Sequence, residues 1–213
     1  MQKSTLLCMC LLAFVFASQA HGADGPYINL KGGIALLSDA DGKDSANPGD
    51  RIKVHYDSGT ALAAGVGYSL GSARAELELS YQKNDFDKLT LNGAQRPLNG
   101  DIKTTALLLN GYYDFRNHTP FTPFLSAGLG FARVDLSDRR LPATAVLPAF
   151  TARGGHDTVF AYQLGGGVGY AVTQNITVDL TYRYFATRDA QFTPTEKIEN
   201  ASHNIYLGIR FGF

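Results

Sequence analysis

The chain has 213 residues, with 19 basic and 19 acidic side chains, 2 Cys, 23 Gly, 11 Tyr and 13 Phe. Balanced charge excludes the basic excess of a nucleic-acid binder, and the length suits one domain. Beyond the first twenty residues no apolar run reaches the ~20 residues of a membrane-spanning helix. A helical membrane protein is therefore excluded, whereas a barrel, whose strands meet lipid only every second residue, is not.

The first element is temporary. Lys3 gives a positive start, residues 6–17 (LLCMCLLAFVFA) are uninterruptedly apolar, and Ser18-Gln19-Ala20 supplies small residues for a signal peptidase. Residues 1–20 are read as a signal peptide and residues 21–213 as the mature domain. Cleavage removes Cys8 and Cys10, which leaves no disulfide and no thiolate metal site. The histidines (His21, His55, His118, His156 and His203) fall near loops and turns without metal-ligand spacing. No cofactor or metal is expected.

Strands follow. Segments 26–37 and 57–70 alternate loosely, with Gly and Ala on their second face. Segment 73–82 alternates strictly: Ala75, Leu77, Leu79 and Tyr81 point one way, and Arg74, Glu76, Glu78, Ser80 and Gln82 the other. On a helix the same residues would scatter charge around every face. Segments 101–115, 121–135 and 157–171 again carry Gly and Ala on one face. In 175–187, Ile176, Val178, Leu180, Tyr182 and Tyr184 alternate with Thr177, Asp179, Thr181 and Arg183. In 204–213, Ile205, Leu207, Ile209, Phe211 and Phe213 alternate with Asn204, Tyr206, Gly208, Arg210 and Gly212. Eight strands result, each long enough to cross a bilayer at a tilt.

Connections alternate in length. Short turns fall near 70–72, 116–120 and 173–174; long loops fall near 38–56, 84–100, 136–156 and 188–202 and carry turn formers such as Asn92-Gly93 and Gly154-Gly155. That asymmetry fits an outer-membrane barrel. With the strands run up and down, Tyr68, Tyr113, Phe115, Tyr170, Phe211 and Phe213 gather outside at the short-turn end. Tyr81, Phe131, Phe160, Tyr162, Tyr182 and Tyr184 gather outside at the other, giving two aromatic belts. The expected fold is all-β, an eight-stranded antiparallel up-and-down transmembrane β-barrel. A lipocalin-like binder would need the reverse polarity, apolar inside.

The same register turns Lys31, Arg74, Glu76, Glu78, Asp114, Asp179, Arg183 and Arg210 inward. Four are basic and four acidic. Eight strands leave a bore that side chains just fill, so a lumen ion-pair network is expected, and packing is favoured over a narrow pore. Gly165-Gly166-Gly167-Val168-Gly169 is no phosphate loop, because it lies inside an alternating strand. The nearest candidates for a rim-sited lipid-modifying enzyme are His156, Asp157 and Thr158 with Ser202 and His203. The first long loop is charged (Asp39, Asp41, Lys43, Asp44, Asp50, Arg51, Lys53). The third contains an apolar stretch, 141–150 (LPATAVLPAF), whose prolines discourage strand pairing.

TPFLSAGLGFARVD (122–135), FAYQLGGGVGYAVTQNITVDLTYRYF (160–185) and NIYLGIRFGF (204–213) resemble the small bacterial outer-membrane β-barrel family of opacity-like surface antigens and the OmpA-type transmembrane domain. The resemblance implies residence in the cell outer membrane among outer-membrane lipid and lipopolysaccharide. It also implies an envelope-structural or surface antigen/adhesin role without enzymatic activity, with a host or surface ligand at the loops. A small-conductance, porin-like channel is the alternative. In that family an aromatic terminal residue after alternating apolar ones is read by the outer-membrane assembly machinery; Ile205, Leu207, Ile209, Phe211 and Phe213 match it. OmpA's peptidoglycan-binding domain has no counterpart in this sequence, so cell-wall tethering is not implied.

Overall fold

The computed structural model describes residues 24–38, 40–43, 51–91, 94–143, 149–188, 190–191, 197–198 and 201–213. The expected signal peptide with both cysteines lies outside these residues, as does the middle of the apolar stretch 141–150.

Eight long strands form the body: β1 (Gly25–Leu37), β2 (Gly59–Leu70), β3 (Ala73–Leu91), β4 (Asp101–Asp114), β5 (Phe121–Leu136), β6 (Gly155–Ala171), β7 (Ile176–Thr187) and β8 (Ala201–Gly212). Each pairs antiparallel with its neighbours in sequence, and β8 returns to β1, which closes the barrel. Closure removes the edge strands that lipid could not satisfy. One row of paired residues runs from Pro123 through Val168, Leu180, Leu207, Gly32, Leu62, Tyr81 and Thr105 to Arg133. The circuit leaves β5 at Pro123 and rejoins it at Arg133, a stagger of 10 residues, so the strands are tilted and the row climbs as it goes round.

Side chains sort as the alternation requires. Lys31, Arg74, Glu76, Glu78, Asn110 and Arg183 are buried inside, while Leu207 is 62% and Phe131 65% exposed outside. Among the described residues, 28 large hydrophobic side chains stand on the surface. Leaving each in water forgoes about 1.5–3 kcal/mol. Together that is tens of kcal/mol, against the ~5–15 kcal/mol by which a soluble domain is stable. The outer face is solvated by lipid.

Curvature is set by inward glycine. A Cβ at Gly33 would meet the carbonyl oxygen of Ile205, and one at Gly130 that of Leu107. The coiling of these strands brings the partner backbone into the space a side chain would occupy.

The segments expected as long loops carry more sheet than alternation in the sequence suggested. β3 continues nine residues past Gln82 to Leu91 and pairs with Arg51–Tyr56 and with Ala94–Pro97; Asn92-Gly93 falls between the paired Leu91 and Ala94. Ala40–Lys43 pairs with Arg51–Tyr56, and Ala190–Gln191 with Lys197–Ile198. The ends of the apolar stretch pair as well, Leu141 with Phe150. The ladder stops at Leu141, just before Pro142, which has no amide hydrogen to donate. The hairpins built on Arg51–Tyr56, on the end of β3 and on Leu141 share a core: Phe86, Leu98, Ile102, Val134 and Leu136 are buried together, with Leu37, Tyr56, Leu89, Leu141 and Val159 packed around them.

Candidate functional site

Two regions carry the chemistry: the lumen, and the collar of hairpins beyond the lipid belt.

In the lumen, Glu78 on β3 and Arg183 on β7 stand on opposite walls and meet in the middle. Both guanidinium Nη atoms donate to the carboxylate at 2.8 Å. Lys31 on β1 fills the gap, donating to Glu78 Oε2 at 2.7 Å, Glu76 Oε1 at 3.0 Å and the Tyr112 hydroxyl at 3.0 Å. Tyr112 in turn donates to Glu76 Oε1 at 2.8 Å, and Asn29 Nδ2 to Glu76 Oε2 at 3.2 Å. A buried isolated ion costs several kcal/mol, so charges are tolerable here only because each is paired and further hydrogen-bonded. The aromatic faces add to this: the Arg183 guanidinium lies 4.9 Å from the Tyr206 ring centroid and the Arg74 guanidinium 4.3 Å from that of Tyr112.

Towards the short-turn end, Arg74 makes a bidentate pair with Asp114 (2.8 Å twice), and Arg210 approaches Asp179 at 3.3 Å. The eight charged residues thus form one cluster of four, Lys31, Glu76, Glu78 and Arg183, in the middle, and two separate pairs below, Arg74–Asp114 and Arg210–Asp179. Beside the lower pairs a cavity of about 40 Å³ opens at the barrel mouth, lined by Tyr27, Asp114, Thr177 and Arg210, enough for a few waters. Below it Arg116 donates to Asp24, and this holds the exposed Asp24 carboxyl below its ordinary value.

Asn29, Asn110, Tyr112, Gln163 and Tyr206 also belong to the lumen, where Gln163 Nε2 donates to Asn110 Oδ1. Phase was their signal. Residue 29 shares the parity of Lys31, and residues 110 and 112 that of Asp114. Tyrosine, however, reads equally well as a belt residue.

Of the hydrolase candidates, Ser202 and His203 do not converge. Ser202 points inward and donates to Gln82 Oε1 at 3.0 Å, whereas His203 points outward with Nδ1 2.7 Å from the Tyr182 hydroxyl. Consecutive strand residues face opposite sides, so this pair cannot serve as nucleophile and base. The terminal row Ile205, Leu207, Ile209, Phe211 and Phe213 lies on the outer face, with Phe213 71% exposed.

The model of the outer membrane protein beta-barrel domain family matches residues 6–211. The chain belongs to this family. Proteins similar to it include the outer membrane protein PagN of Salmonella typhimurium, 26% identical over the whole of both chains. The opacity protein opA66 of Neisseria gonorrhoeae is 27% identical, covering 95% of this chain and 94% of its own. Neisserial surface protein A superimposes with a TM-score of 0.59 at 22% identity, over 91% of this chain and 100% of its own. At that identity the likeness establishes fold. Family, fold and polarity agree that the protein resides in the bacterial outer membrane, the collar facing outward as the long-loop end.

Proposed function

We propose that this protein is a non-enzymatic surface-display barrel, a surface antigen or adhesin whose outer collar presents loops to an external ligand. The observation that carries this reading is the collar. Sheet continues beyond the lipid belt in paired hairpins over a shared apolar core of Phe86, Leu98, Ile102, Val134 and Leu136. A barrel needing only to span the membrane gains nothing from nine further residues of β3 and a second core. A binding platform does, because rigid supports lower the ordering cost at the moment of binding. The bore is crossed by Glu78 and Arg183, which supports display over conduction. Similarity to an opacity protein supports it too.

The test is attachment. Expressed in a non-adherent laboratory strain, the wild type is expected to raise binding to host cells or extracellular matrix. Replacing residues 138–153 by a short turn is expected to abolish the gain while surface exposure and heat-modifiable migration persist. Equal attachment with and without the protein, across a panel of cell types and matrices, would defeat the reading.

A further inference from the structure

The short-turn end, which faces the periplasm, carries an arrangement of charges that neither display nor spanning requires. Asp24, just ahead of β1, reaches along the rim. Its Oδ1 accepts from the Arg116 guanidinium, in the turn after β4, and from the Gly71 amide, in the turn between β2 and β3, the latter at 3.2 Å. Ser69 adds a further hydrogen bond to the same carboxylate. One carboxylate thus straps together the start of β1 and two turns. The Asp24 side chain is 57% exposed, and exposed pairs contribute little and exchange readily.

Arg116 and Ser69 also border the mouth cavity of about 40 Å³, together with Tyr27, Asn175, Thr177 and Arg210. The strap and the cavity therefore share residues. The acidic groups around the cavity are unequally engaged. Both oxygens of Asp114 are taken by Arg74 at 2.8 Å. Arg210 Nη2 stands 3.3 Å from Asp179 Oδ1, longer than the about 2.7–2.9 Å of a well-made charge-assisted bond. Glycine keeps this loose pair against the wall, since a Cβ at Gly169 would stand 2.8 Å from Asp179 Oδ1 and 3.3 Å from Arg210 Nη2. Two guanidinium groups thus border one small polar space. One is lent to an exposed carboxylate and the other is loosely paired. A guanidinium only donates, in a planar fork that matches a carboxylate, so the group that completes this space is an acceptor.

We infer that the periplasmic mouth is a binding site for a small carboxylate, which enters between Arg116 and Arg210. Asp24 is its resident competitor. The incoming group takes Arg116 from Asp24 and reaches Arg210 inside. A volume of about 40 Å³ admits a carboxylate head, about the bulk of a water or two, and leaves the rest of the molecule in the periplasm. A free organic acid and the C-terminus of a peptide both present that head. The site lies at the opposite end of the barrel from the collar, so it is independent of adhesion.

The test is NMR of the folded protein in micelles, following the Arg Nε–H resonances during titration with acetate and with N-acetyl-dialanine. Acetamide and N-acetyl-dialanine amide are the uncharged controls. Saturable shifts of Arg116 and Arg210 are expected with both acids and not with the amides. Tighter binding of the dipeptide would identify a peptide terminus as the source, and equal binding a free acid. R210Q and R116Q should each weaken binding about tenfold. D24N, which removes the competitor, should strengthen it about two- to fivefold. R133Q, at the opposite end of the barrel, should bind as wild type. Heat-modifiable migration of each variant reports that it has folded. Shifts that do not saturate, equal shifts with the amides, or wild-type binding by folded R210Q or folded D24N would overturn the inference.

Discussion

At the residue scale, the lumen holds the largest energies. Glu78 is the one acceptor shared by Lys31 and Arg183. Glu78→Gln leaves a buried guanidinium without its counter-charge and is expected to cost about 3–5 kcal/mol, read as a lowered urea midpoint for unfolding from lipid vesicles. Glu78→Met with Arg183→Met removes both charges and leaves Lys31 on Glu76, so most of that loss should return. A double variant as weak as the single one would show that packing, not charge, is at stake. Asp24 tests a surface pair. Its carboxyl titrates below the ordinary value of 3.8 because Arg116 donates to it. A depressed folded-state value means that the stabilisation is present at neutral pH and is lost as pH falls through that lower value. Arg116→Gln should move the Asp24 titration, followed by NMR in micelles, upward toward the ordinary value; no movement would count against the pair.

At the element scale, the barrel and the collar should melt apart. Phe86 belongs to the collar core and touches Tyr56 with ring centroids 5.3 Å apart. Phe86→Ala removes a large side chain from a small core, at about 3–5 kcal/mol. The expected outcome is proteolytic cleavage within 84–100 and faster amide exchange in Arg51–Tyr56, while β6 to β8 keep their protection. Uniform destabilisation would show one cooperative unit instead. Strand existence was legible in sequence because one face of each strand is lipid and the other lumen, which forces period two. The collar was not. Past Gln82 both faces of β3 meet water or protein, the alternation loses its contrast, and 84–100 reads as a polar loop. Phe86 and Leu98 gave no local sign of being partners, since they meet only through a hairpin.

For the whole molecule, assembly and conduction are the testable properties. The row Ile205, Leu207, Ile209, Phe211 and Phe213 is proposed as the signal read by the assembly machinery. Phe213 makes its backbone hydrogen bond to Pro26 irrespective of its side chain (3.0 Å). Phe213→Ala is therefore expected to lower outer-membrane yield in cells several-fold while refolding into vesicles in vitro stays near wild type. Equal yields in cells would sink the proposal. Planar-bilayer recordings of the wild type are expected to give no sustained conductance, because the Glu78–Arg183 pair crosses the bore; a stable conductance would mean that this contact opens readily.

The sequence by itself determined the number of barrel strands, which side chains face lipid, and which eight charges turn inward, because a two-solvent environment imposes a strict period on every strand. It also determined family and compartment. Tertiary structure decided who meets whom. The inward charges lie up to 179 residues apart, between Lys31 and Arg210, and only the stagger of the closed barrel sets Glu78 against Arg183, Lys31 between them, and Arg74 on Asp114. Pairing across a barrel depends on tilt and closure, which are properties of the whole sheet and of no single segment.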